Sequence, residues 1–138
     1  MFRDQLAYFK EETFLAPFFE LESTVCLERI ELNINYAIAQ KNNHGTSEAA
    51  ALYIGNSWLA KVCISDKLVY QKKAKKGKKL LEKLIQNLVY EDGSFSQHSI
   101  NYHRVFIDTL SYVLFWTKQL SLHSFSANFY SKISKSLD

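Results

Sequence analysis

Apolar side chains return every three or four positions through most of this chain, and little interrupts them: 138 residues hold only four Gly and one Pro. Those two residue types supply the unusual backbone angles that tight turns need, so a fold of many short strands is disfavoured and an all-α fold is expected. Leu27, Ile30, Ile34, Ala37 and Ile38 mark a helix over about residues 26–41. A second, rich in Ala49, Ala50 and Ala51, is expected to be capped by Thr46 or Ser47, with Glu48 in its first turn where the helix dipole favours an acid. A third runs from about Lys67 to Val89 on the stripe Leu80, Leu81, Leu84, Ile85 and Leu88, weakened locally by Gly77. Ser99 is the expected cap of a fourth, to about Leu120, whose apolar surface is too wide for a solvated helix and predicts a central position. The first 24 residues are expected to be helical in part, with Pro17 ending or bending that segment, and the Ser- and Lys-rich tail to be a frayed helix.

With 47% hydrophobic residues the chain can build a core, and its length fits one domain or part of a larger one. Cys26 and Cys63 have no neighbouring Cys or His at zinc-site spacing and read as free thiols. The N-terminal string MFRDQLAYFKEETF is charged throughout and lacks the layout of a secretory signal. The most apolar stretch, Val105 to Trp116, is interrupted by Asp108, Thr109 and Ser111 and falls short of the ~20 residues a bilayer requires. A soluble chain without a membrane span is expected.

The net charge of +3 conceals an asymmetry. Residues 67–83 carry eight lysines and one acid, Glu82, which leaves the rest of the chain negative. Beside so regular an apolar stripe, the lysines read first as a solvated helix face. The alternative is a patch that attracts phosphates or acidic sugars, although no aromatic residue lies between Lys72 and Lys83 for stacking on bases.

The order helix, polar loop, helix occurs twice, and each loop carries His and Asn toward a helix N-terminus, where unpaired N–H groups favour negative charge. The first cluster is Asn42, Asn43 and His44, before Gly45, Thr46 and Ser47. Taken alone, its residues read first as a helix connection in which the Asn side chains satisfy the backbone and Gly45 permits a left-handed angle. The second cluster is Gln97, His98, Asn101, Tyr102, His103 and Arg104, after the Asp92-Gly93 turn. With Ser99 as cap, Tyr102 falls in the first helical turn, where the dipole and Arg104 favour the phenolate of a group whose ordinary pKa is about 10. Tyr102 and His103 equally suit packing against a neighbouring helix. There is no HExxH, GxSxG, Walker loop or GxGxxG. His123 is expected at the surface, and the Phe and Trp residues of the fourth helix in the core.

Taken together, the strings NNHGTSEAAALYIG and EDGSFSQHSINYHRVFIDTLS resemble the heparinase II/III-like polysaccharide lyases over residues of roughly 27 to 120. The resemblance implies a toroid of antiparallel α/α hairpins. Here the chain would form a single, partial toroid domain over residues 1–138, without the family's β-sandwich domains. It also implies β-elimination on a uronic-acid-containing, anionic polysaccharide, with no cofactor and no metal. By residue match, Asn43 neutralises the substrate carboxylate, His44 acts as base or further neutraliser, Tyr102 donates the proton to the leaving oxygen, and Arg104 holds the acidic substrate. Gln97, His98 and His103 line the cleft. The family draws further residues from later in its toroid and from the sandwich, so the isolated chain is expected to be an incomplete or inactive fragment, or a relic, unless a second polypeptide completes it. As it stands the chain is expected in the cytoplasm, whereas the resembled family often acts in the periplasm or outside the cell. The competing expectation is a non-enzymatic helical module that binds nucleic acid or acidic glycan through the lysine-rich helix, with nucleic acid the less expected partner.

Overall fold

A computed structural model describes residues 16–137 as five helices without a β-strand: α1 Ala16–Ala39, α2 Asn43–Val62, α3 Lys67–Leu88, α4 Ile100–Gln119 and α5 Ala127–Leu137. The segment between α3 and α4 contributes one isolated antiparallel bridge, Val89 with Phe95. Among the described residues no helix is long and apolar enough to cross a membrane. The parts of the chain expected to form helices do so, with three corrections at the ends. Pro17 lies in the first turn of α1, where its missing N–H costs nothing, so it starts a helix that runs ten residues earlier than the apolar spacing indicated. The residues before it lie outside the described part. α2 begins four or five residues earlier than expected, with Asn42 as its cap, because the Asn42 side-chain oxygen accepts the His44 N–H (3.0 Å). Thr46 is instead fully buried, its hydroxyl donating to the Asn43 carbonyl, and Glu48 falls in the second turn. The tail is a docked helix, since Phe129 and Ile133 of α5 enter the core and Lys132 donates to the Val89 carbonyl (2.8 Å).

The centre of the molecule is α2, which packs against α1, α3 and α4, while α5 lies on α3. Small residues make this possible. Ala49 and Ala50 are buried on α2, and a Cβ at Gly77 of α3 would stand 2.7 Å from the Tyr53 backbone nitrogen. Gly77 therefore sets the distance between the two helices, in addition to lowering helix propensity. The main core joins α2, α3 and α5 to one stripe of α4, formed by Phe106, Leu110 and Val113. The expectation of a central α4 is corrected: its Val105, Tyr112 and Phe115 are exposed and Trp116 is half-buried. Only one side of this helix has an apolar neighbour, so its wide apolar surface is left partly uncovered. Cys26 is exposed and Cys63 half-buried, both as free thiols, and His123 is at the surface as expected.

Candidate functional site at two helix N-termini

Hydrogen bonds fix how α2 and α4 run. The Ser47 and Thr109 hydroxyls are 3.3 Å apart, and those of Tyr53 and Thr117 are 3.1 Å apart. Both sequence numbers rise together, so α2 and α4 are parallel and their N-termini share one end of the molecule. Thr109 and Thr117 each donate to a carbonyl one turn earlier in α4, Val105 and Val113. Their oxygens are thereby left as acceptors for Ser47 and Tyr53. Burial pushes the Tyr53 hydroxyl above its ordinary pKa and keeps it a donor.

The segment joining α3 to α4 ties the two N-termini together. The Ser96 N–H donates to the Leu88 carbonyl (2.9 Å), and the Ser96 hydroxyl donates to the Lys41 carbonyl (3.1 Å). Gln97 Oε1 accepts the Asn43 backbone N–H at 2.8 Å, satisfying one of the donors that a helix start leaves unpaired. Phe95 stacks on Phe106 with ring centroids 4.5 Å apart, which anchors the segment to α4. At Gly93 the backbone is left-handed (φ 85°) and lies against the Lys135 carbonyl of α5, so only glycine fits the turn. The left-handed residue of the α1–α2 connection is Lys41 (φ 51°), not Gly45 as expected. Gly45 is buried in the first turn of α2, where a Cβ would meet the Ala37 carbonyl oxygen at 3.3 Å.

The expected site residues divide into three groups. Asn43, His44 and Tyr102 lie in the first turns of α2 and α4, at one end of the molecule. His44 is three residues before Ser47 and neighbours it on the surface of α2, and Tyr102 is seven residues before Thr109, on the same face of α4. From the Ser47–Thr109 contact, Tyr102 stands ~6 Å further along the helix direction than His44. Both side chains are exposed, Tyr102 at 46%. Gln97 and His103 are engaged with the protein: Gln97 as above, and His103 through Nε2, which donates to the Ser136 carbonyl of α5 (2.9 Å). Both were expected to line the cleft. The bond to α5 directs His103 toward the C-terminal helix. Arg104 and His98 stand apart. Arg104 is exposed and ~200° around α4 from Tyr102, opposite the buried stripe. His98, with left-handed backbone (φ 46°), stacks on Tyr90 at 5.4 Å.

Two buried acceptor oxygens in the first turns of α2, Asn43 Oδ1 and Glu48 Oε2, have no hydrogen-bond partner in the protein. The contributions of Ser47, Thr109 and Ser96 had no signal in the sequence, because lone Ser and Thr residues on helices and loops are common. An apolar groove of about 380 Å³ lies elsewhere, between α1, α2 and α4, and is lined by Leu27, Ile30, Tyr112 and Trp116 among others. Its lining is almost wholly apolar, with Cys26 and Tyr112 as its ionisable groups. Among the described residues no group of three or more His, Cys, Asp or Glu is placed to hold a metal.

The chain matches no family model, no curated protein and no solved structure.

Proposed function

We propose that this chain carries part of the active site of a polysaccharide lyase resembling the heparinase II/III-like family, one that recognises a uronate and cleaves its glycosidic bond by β-elimination. The observation that carries the reading is the Asn43 N–H to Gln97 Oε1 bond, which joins two motifs 54 residues apart at one end of the molecule. In this reading the substrate carboxylate lies at the N-terminus of α2. The Asn43 amide and the positive end of the helix dipole spread its charge as the enolate-like transition state forms. His44 takes the C5 proton, and Tyr102 gives a proton to the leaving oxygen. Arg104, on the outer side of α4, acts by attracting the anionic polymer.

The consecutive packing of α1 on α2 and of α2 on α3, with α2 parallel to α4, supports an arc of an α/α toroid. The exposed apolar side of α4 is where a further hairpin would pack. As the family draws on residues beyond those matched here, the isolated chain is expected to release little or no unsaturated uronate. The test is binding: titration with an oligouronate should shift the NMR signals of the His44 and Tyr102 rings together. Absence of any shift at both rings at millimolar ligand would overturn the reading. Ultraviolet absorbance of unsaturated product appearing with the wild type but not with Tyr102→Phe would support the lyase and reverse the expectation of inactivity.

A further inference from the structure

The eight lysines of residues 67–83 do not share one role. Lys73 pairs with Glu31 (2.8 Å). Lys78 donates to the carbonyls of His123 and Ser124 and lies over the Phe125 ring, 4.8 Å from its centroid, so it holds the approach to α5. Lys67 starts the helix. Of the remaining five, Lys72, Lys76, Lys79 and Lys83 follow one another at three- and four-residue steps and Lys75 lies beside Lys76; all are exposed on a single face of α3, opposite the buried Ala74, Gly77, Leu81 and Ile85. From Lys72 to Lys83 this ridge is ~16 Å long.

Of the acids near it, Glu31 pairs with Lys73, and Glu82 accepts the Ser126 N–H through one oxygen (2.9 Å). Among the described residues none of the five ridge lysines has a carboxylate partner. Like charges at these spacings disfavour a helix, and the helix keeps them nevertheless. A multivalent anion relieves that repulsion and gains from the release of its own counterions.

We infer that this ridge is a docking surface for a linear anionic polysaccharide. Its face has no aromatic ring and no arginine, so it offers neither stacking for bases nor a planar fork for phosphate, only a line of positive charge. The ridge also leads toward the candidate site. Lys83 is five residues before Leu88, whose carbonyl holds Ser96 in the segment that delivers Gln97 to Asn43. The choice of glycan as partner rests on the uronate reading above. The ridge itself does not.

The experiment measures binding of the full chain to a fluorescent polyuronate of about twenty sugars and to a duplex DNA of equal charge, across a range of salt. One variant carries Lys75→Gln, Lys79→Gln and Lys83→Gln. A control of the same net charge carries Arg29→Gln, Lys61→Gln and Lys118→Gln, all at exposed positions. The ridge variant should bind polyuronate at least fivefold more weakly, with a shallower salt dependence, and the control within twofold of wild type. Circular dichroism reports whether both remain helical, and the single variant Lys79→Gln, with about a twofold loss, serves if the triple variant does not. Equal losses in ridge and control variants, or tighter binding of the DNA, would overturn the proposal. The two ideas fail separately: polyuronate binding that is unaffected in the ridge variant would refute the ridge, whereas a silent oligouronate titration with an intact ridge effect refutes only the site.

Discussion

The Asn43 backbone N–H donates to Gln97 Oε1 over 2.8 Å, so the first turn of α2 is held by the segment that opens α4. One short bond thereby fixes the relation between the loop of His44 and the loop that precedes Tyr102. Replacing Gln97 by Met keeps the side-chain length and removes the acceptor. Stability should fall by about 1 kcal/mol, the usual net worth of such a bond, and the His44 ring should lose its response to oligouronate. Gln97→Glu, which retains an acceptor at a positive helix end, should restore both. Chemical denaturation and NMR titration check this, and a Gln97→Met protein with wild-type stability and response would contradict it.

Gly77→Ala sets two effects against each other. In an exposed helix the change stabilises by about 1 kcal/mol. Here the new methyl would stand 2.7 Å from the Tyr53 nitrogen, a backbone atom that cannot move aside cheaply. Forced separation of packed helices costs about 1–3 kcal/mol or more. The melting temperature should therefore drop, and a rise would show that α2 and α3 are less closely packed than described.

The two thiols should differ in reactivity. Burial, with the nearby Glu20 carboxylate adding to it, pushes the Cys63 thiol up to about 11. Cys26 is exposed. At pH 8 an alkylating reagent should modify Cys26 well before Cys63, as read by peptide mass spectrometry. Because the folded state holds the Cys63 proton more tightly than the unfolded chain, this group favours folding less as pH rises from about 9 toward 11. Preferential labelling of Cys63 would be the contrary result.

The exposed apolar side of α4, with Val105, Tyr112 and Phe115, should make the chain self-associate. Phe115→Lys lies away from the buried stripe and should shift the mass measured by light scattering toward the monomer, with little change in melting temperature. An unchanged mass distribution would place the association elsewhere.

Much of this architecture was legible because helix formation leaves a local, periodic mark. The stripe Leu81, Leu84, Ile85 and Leu88 placed α3 within a residue of its observed end, and Ser99 marked the start of α4. The cap of α2 was misplaced because Asn42, Thr46 and Ser47 are all good caps, and burial of Thr46 decides among them. Among the candidate site residues, Asn43, His44 and Tyr102 could be singled out by type and by closeness to helix starts. The bonds of Gln97 to Asn43 and of His103 to Ser136 could not, since their partners are 54 and 33 residues away.

Residue order alone thus determined where the helices run, which side of α3 is charged and which polar residues sit at helix N-termini, because each depends on neighbours within a few positions. Only the tertiary structure decided that α2, and not α4 with its large aromatic and branched side chains, occupies the centre, that Gly77 sets an interhelical distance, and that the two N-termini lie at the same end. Those outcomes depend on which surfaces find partners. An apolar side chain is buried only where another part of the chain arrives to cover it.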